Sequence, residues 1–252
     1  MTDLGILAFG FGAIPVVAIL LYNVDRFVLQ HREATWGFLS GVIGFLGLSH
    51  ATSLVLFNHS RFGDAAVATA LSFVGLVIGA SVAWLVLEGP FIQTEPNRIV
   101  WAAVAFVGLH SVGDGLVLGG GFISVIPVVP IDAVTVTATA VHRFLEGCLI
   151  IVPAMWAAWR ARFTFALLFV SLAAIPATYL PGWVYGAYGP SPLGATLQLA
   201  IPTLLAAIEA TFGLLLFVRA FLPIASADRG SRWPAWTAIG FIAIGLVHFL
   251  VE

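Results

Sequence analysis

Two short stretches carry residue types able to do chemistry together. The first is His110-Ser111-Val112-Gly113-Asp114-Gly115 and the second is His142-Arg143-Phe144-Leu145-Glu146-Gly147. Each reads histidine, three residues, a carboxylate, then glycine. On a helix, positions i and i+4 share a face, so each stretch presents an imidazole beside an acid. Imidazole nitrogen and carboxylate oxygen suit Zn²⁺ and its first-row neighbours. His110, Asp114, His142 and Glu146 would together satisfy a four-coordinate ion. Gly115 and Gly147 carry no side chain and let a neighbouring helix approach closely. A single such pair reads best as an internal hydrogen bond, but two matched pairs on consecutive apolar segments point to one shared metal site.

Other residues stand near this constellation. Glu209 lies inside a later apolar segment and is either a fifth ligand or, the preferred reading, the counter-ion of Arg143. Arg143 is a fixed cation beside the pairs and reads as a buried structural ion pair. Ser111 is a weak ligand. His50 and His248 could line a path, although an interfacial or internally satisfied histidine is the favoured reading of each. His248 and Glu252 repeat the i, i+4 spacing at a chain end expected to face water. Cys148 is the only cysteine, which excludes an intrachain disulfide and a multi-cysteine metal site, and its apolar surroundings give it a packing role. Lysine is absent, so a lysine Schiff base to retinal is excluded. Gly119-Gly120-Gly121 follows no strand and does not read as a phosphate loop.

The elements that must position these residues follow from composition. The chain has 252 residues, of which 61% are hydrophobic and 9% charged, with a mean hydropathy of +1.08. So few charges cannot cover a surface facing water, where about 25% is usual, so an integral membrane protein is expected. Eight apolar runs are long enough to span a bilayer, at about 4–22, 36–57, 65–88, 99–124, 130–158, 163–181, 195–220 and 235–251. They form one transmembrane domain over 1–252. The alternation of a barrel is missing, so the fold class is all-α. Met1-Thr2-Asp3 lacks a basic start, and the first run is expected to be retained as a span.

Arginine placement orients the chain. Arg26, Arg32, Arg98, Arg160, Arg162, Arg219, Arg229 and Arg232 fall in the connections after spans 1, 3, 5 and 7, against Arg61 alone on the other side. The bias puts those connections in the cytoplasm and both termini outside. Trp36, Trp84, Trp101, Trp156, Trp159, Trp233 and Trp236 gather near the same ends as interface anchors. At 1.5 Å per residue, His110 lies ~17 Å along span 4 and His142 ~18 Å along span 5, near the midplane. The short connection between these spans makes them antiparallel neighbours, and midplane placement is where transporters hold substrate.

In these residues the chain resembles the ZIP (Zrt- and Irt-like) family of divalent metal transporters. That family has eight spans, both termini outside, and a metal site between spans 4 and 5 in motifs of the form His-Asn-x-Pro-Glu/Asp-Gly. The resemblance covers span number, topology and the cores of spans 4 and 5. It assigns the first metal site to His110, Asp114, His142 and Glu146, and sets His50 against a histidine common in the family's second span. Gly113 and Leu145 replace the two motif prolines. Ser111 and Arg143 replace the polar residues that hold a second metal, and span 6 lacks the bridging acid, so Arg143 stands in for that second charge.

The expected function is therefore inward movement of a divalent cation across the cytoplasmic (plasma) membrane, Zn²⁺ first and Fe²⁺ or Mn²⁺ behind it. The metal is substrate, no organic cofactor is expected, and the chain is not expected to be an enzyme. Its partners are the cation, the lipid bilayer and, optionally, a second copy in a homodimer; nucleic acid is not among them. The alternatives are a non-transporting relative in which Arg143 replaces a metal, and a membrane haem carrier using paired histidines. The acids beside the histidines speak against haem.

Overall fold

Helix after helix follows from the long apolar runs, and the computed structural model is all-α among the residues it describes: 23–55, 64–90, 92, 95–120, 133–187, 192–227 and 232–251. A short helix α1 (Asp25–Gln30) precedes α2 (Arg32–Ser53), α3 (Ala65–Leu87), α4 (Glu95–Gly120), α5 (Ala133–Trp156), α6 (Ala161–Ala187) and α7 (Pro192–Leu216). A π turn, Phe217–Phe221, leads into α8 (Leu222–Ala227), and α9 (Trp233–Val251) closes the series. The expected span 4–22 lies outside the described residues. The expected spans 2 to 8 fall on α2 to α7 and α9 with shifted ends. The largest shift is at span 6, whose expected end is 181. The helix instead runs on through Pro181-Gly182 to Ala187; proline and glycine are tolerated within membrane-spanning helices.

Four helical stretches are long and apolar enough to cross a bilayer: Ala65–Leu87, Glu95–Leu116, Ala200–Ala227 and Trp233–Leu250. Helix α6 adds a shorter apolar stretch, Ala161–Ile175. The apolar faces of α3 and α9 point outward, with Phe73, Val77, Ile242 and Phe249 exposed. Water would not stabilise such a surface, whereas hydrocarbon does.

The helices meet through small residues, as expected where lipid removes the hydrophobic incentive to associate. Helix α2 is wedged between α9 and α7. Gly41 leaves no room for a side chain against the backbone of Thr237 and Phe241, and Gly47 abuts Gly213 and Leu214. Helix α3 buries only Ala68, Gly75, Gly79 and Ala83, a narrow stripe laid on Ala207 and Ile208 of α7. Asp64 starts α3 by accepting hydrogen bonds from the amides of Ala66 (2.8 Å) and Val67 (3.3 Å). The tightest partner of α4 is α6 rather than α5. Their seam passes Gly115, where a Cβ would strike the Thr178 hydroxyl and the Ile175 carbonyl.

One end of the bundle is aromatic and basic. Trp36 meets Trp156 edge-on at 5.3 Å between ring centres, and Trp101 meets Trp159 at 5.6 Å. Arg32 lies over the Trp156 ring. Arg98 donates to the Ile92 carbonyl at 2.7 Å and to the Leu87 carbonyl at 3.3 Å, closing the end of α3, and Arg219 pairs with Glu88, holding that carboxyl below its ordinary range. At this end α5 stops in a Schellman turn. The amide of Trp159 donates to the Ala154 carbonyl (2.9 Å) and that of Ala158 to the Met155 carbonyl (3.0 Å). Ala158 sits there at φ 56°.

Candidate metal centre

Four helices bring their polar residues to one buried place. Helix α4 supplies His110 and Asp114, α5 supplies His142, Arg143 and Glu146, α2 supplies His50, and α7 supplies Glu209, seven residues beyond Pro202. Apart from Asp114 and the rim at His50, these side chains are almost wholly buried.

Three atoms converge most closely. Glu146 Oε1 lies 2.8 Å from His142 Nε2 and 3.0 Å from His110 Nε2, and the two histidine nitrogens are 3.5 Å apart. Zn²⁺ binds nitrogen and oxygen at about 2.0–2.2 Å, so the corners of its tetrahedron stand roughly 3.4 Å apart. The three ligand atoms are spaced for such an ion with little movement. The i, i+4 spacing of His142 and Glu146 produces one edge, and the packing of α4 on α5 produces the others.

Asp114 departs from expectation. Its Oδ2 is 3.7 Å from His110 Nε2 but 2.5 Å from Arg143 Nη2, so the guanidinium, not the histidine group, holds it. Arg143 Nη1 also donates to Glu146 Oε2 at 2.6 Å. Glu146 therefore divides its oxygens, one toward the imidazoles and one toward the arginine. The preferred assignment of Glu209 as counter-ion to Arg143 is overturned. Arg143 pairs with Asp114 and Glu146, while Glu209 Oε2 lies 3.0 Å from His110 Nδ1 and 2.9 Å from His50 Nε2. Register on α7 decides this, since Glu209 faces Gly113 of α4. A carboxylate on the far nitrogen of a metal-binding imidazole orients the ring and raises its basicity.

His50 is thus part of the cluster rather than a bland interfacial residue. His248 does not face water; it is buried, its Nε2 is 2.9 Å from the Ser49 hydroxyl, and its ring stacks on His142 at 5.7 Å. Packing of α9 against α2 and α5 puts it there. Glu252 lies outside the described residues. Ser111 is buried, and its hydroxyl has no hydrogen-bond partner among the described residues.

Formal charge gives the centre its preference. Asp114, Glu146 and Glu209 face one guanidinium, leaving two negative charges in a place where uncompensated charge is costly. One divalent cation offsets them. The rings of His110 and His142 lie near-parallel, 5.7 Å between centres.

No protein-family model matches this sequence and no curated protein matches it.

Proposed function

We propose that the protein is an eight-span, ZIP-like transporter of the plasma membrane that carries a divalent cation, Zn²⁺ before Fe²⁺ or Mn²⁺, into the cytoplasm. The observation that carries this reading is the convergence of His110, His142 and Glu146 within a bundle of apolar helices. Ligands buried at mid-helix suit a cargo that must leave water, be held and be released again by alternating access. The residual double negative charge favours a divalent ion over a monovalent one. Arginine bias and the tryptophan-rich end support the inward orientation.

The test is Zn²⁺ uptake into proteoliposomes by the wild type and by His142→Asn/Glu146→Gln. Uptake is expected from the first and loss of at least tenfold from the second, with helix content unchanged. Equal rates would refute the site. A second reading is favoured by Arg143, whose guanidinium bridges Asp114 and Glu146 as a fixed cation. On that reading the chain binds metal without moving it, and the assay would return stoichiometric binding with no flux.

A further inference from the structure

We propose that His50, His110 and Glu209 form a second cation station, on the outer side of the first, and that the two stations share His110 and are occupied in alternation. The inference rests on the transport reading and adds a route to it. The three ligand atoms lie within 4.8 Å of one another and come from α2, α4 and α7, with no contribution from α5. Glu209 Oε2 stands between His50 Nε2 at 2.9 Å and His110 Nδ1 at 3.0 Å. His50 Nε2 is buried without a hydrogen bond of acceptable geometry although that carboxylate oxygen is so near. Such a nitrogen, close to an acid but off its hydrogen-bonding line, is placed to share an ion with it. Gly113 keeps the place open, since a Cβ there would come 2.9 Å from Glu209 Oε1.

His110 faces both ways. Its Nε2 is 3.0 Å from Glu146 Oε1 and its Nδ1 is 3.0 Å from Glu209 Oε2. A neutral imidazole has one lone pair and one N–H. With a cation on Nε2, the Nδ1 proton is donated to Glu209; with a cation on Nδ1, the Nε2 proton is donated to Glu146. Either arrangement is fully hydrogen-bonded, and neither lets both nitrogens bind metal. Charge agrees, because one divalent ion already balances the two surplus negative charges and a second would leave two surplus positive ones. The His50 side chain is 15% exposed against 4% for Glu209, and His50 lies in the last turn of α2, the end assigned to the outside. That makes this station the first a cation from outside would meet.

The competing role for Glu209 and His50 is to orient His110 without touching the ion. Cobalt titration of single-cysteine replacements separates the two, because a thiolate bound to Co²⁺ gives a charge-transfer band that a nearby unbound thiol does not. The full-length chain in detergent would be titrated as wild type, whose Cys148 sets the baseline, and as His142→Cys, His50→Cys and Glu209→Cys. Bands are expected in all three variants, with one Co²⁺ per wild-type chain. A band from His142→Cys with none from His50→Cys or Glu209→Cys overturns the second station and leaves the first. Bands from the latter two alone overturn the first, and no band anywhere overturns both. Two Co²⁺ per wild-type chain overturn the alternation. His50→Cys and Glu209→Cys lie on different helices, so misfolding of one leaves the other to report.

Discussion

Arg143 is the residue on which the centre's electrostatics turn. It holds Asp114 and Glu146 through two short ion pairs, and Glu146 has no solvent to fall back on. Removing one partner of a buried pair strands the other and costs about 3–5 kcal/mol. Arg143→Gln is therefore expected to lower the thermal unfolding temperature in detergent markedly. Adding Glu146→Gln to it should recover part of the loss, and a double-mutant cycle reads the coupling. Simple additivity would mean that the pair does not interact as drawn. Ala158 offers the opposite case. Its backbone holds the left-handed conformation at the end of α5, where a Cβ costs about 1–2 kcal/mol. Ala158→Gly is expected to raise the unfolding temperature, the gain being reduced by the extra freedom glycine gives the unfolded chain. An unchanged or lower temperature would argue against the turn.

At the scale of elements, glycine seams decide which helices touch, and so which side chains can meet. Gly115 and Gly108 lie on the same helix and test this directly. A side chain at 115 meets the Thr178 hydroxyl and the backbone of α6, while one at 108 meets nothing within 4 Å. Gly115→Ala is expected to destabilise by about 1–3 kcal/mol, the usual cost of overpacking. Gly108→Ala should be neutral or stabilise by up to about 1 kcal/mol, as alanine is the better helix former. Unfolding curves of the two variants side by side check the contrast, and equal effects would mean the α4–α6 seam is misplaced. Because α4 carries both His110 and Asp114, Gly115→Ala should also weaken metal binding.

For the whole molecule, the arginine bias predicts a sidedness that labelling can test. A cysteine at Asp228→Cys should react with an impermeant maleimide only in inside-out vesicles, and one at Ser191→Cys only in right-side-out vesicles. Cys148 is buried and should stay silent in both. The reverse pattern would invert the expected orientation, and with it the proposed direction of transport. The contacts of Trp36, Trp156, Trp101 and Trp159 with one another and with Asn97 and Phe163 gather the ends of α2, α4, α5 and α6, which agrees with a single interface there. The exposed faces of α3 and α9 meet lipid on this reading.

Much of this was legible in the residues taken in order. Hydropathy marks the helices because apolar runs of span length have few other fates, and the i, i+4 rule places His142 beside Glu146 because both lie on one helix. What sequence spacing does not encode is the rotation of one helix against another. That rotation turned Asp114 toward Arg143, brought Glu209 to His110 and His50 instead, and buried His248 on His142. Composition and periodicity determined an all-helical chain with apolar spans and a metal-like set of side chains. The tertiary structure alone decided which of those side chains face one another, because partners between helices are chosen by close packing across glycines such as Gly41, Gly79 and Gly115, which spacing along one helix does not encode.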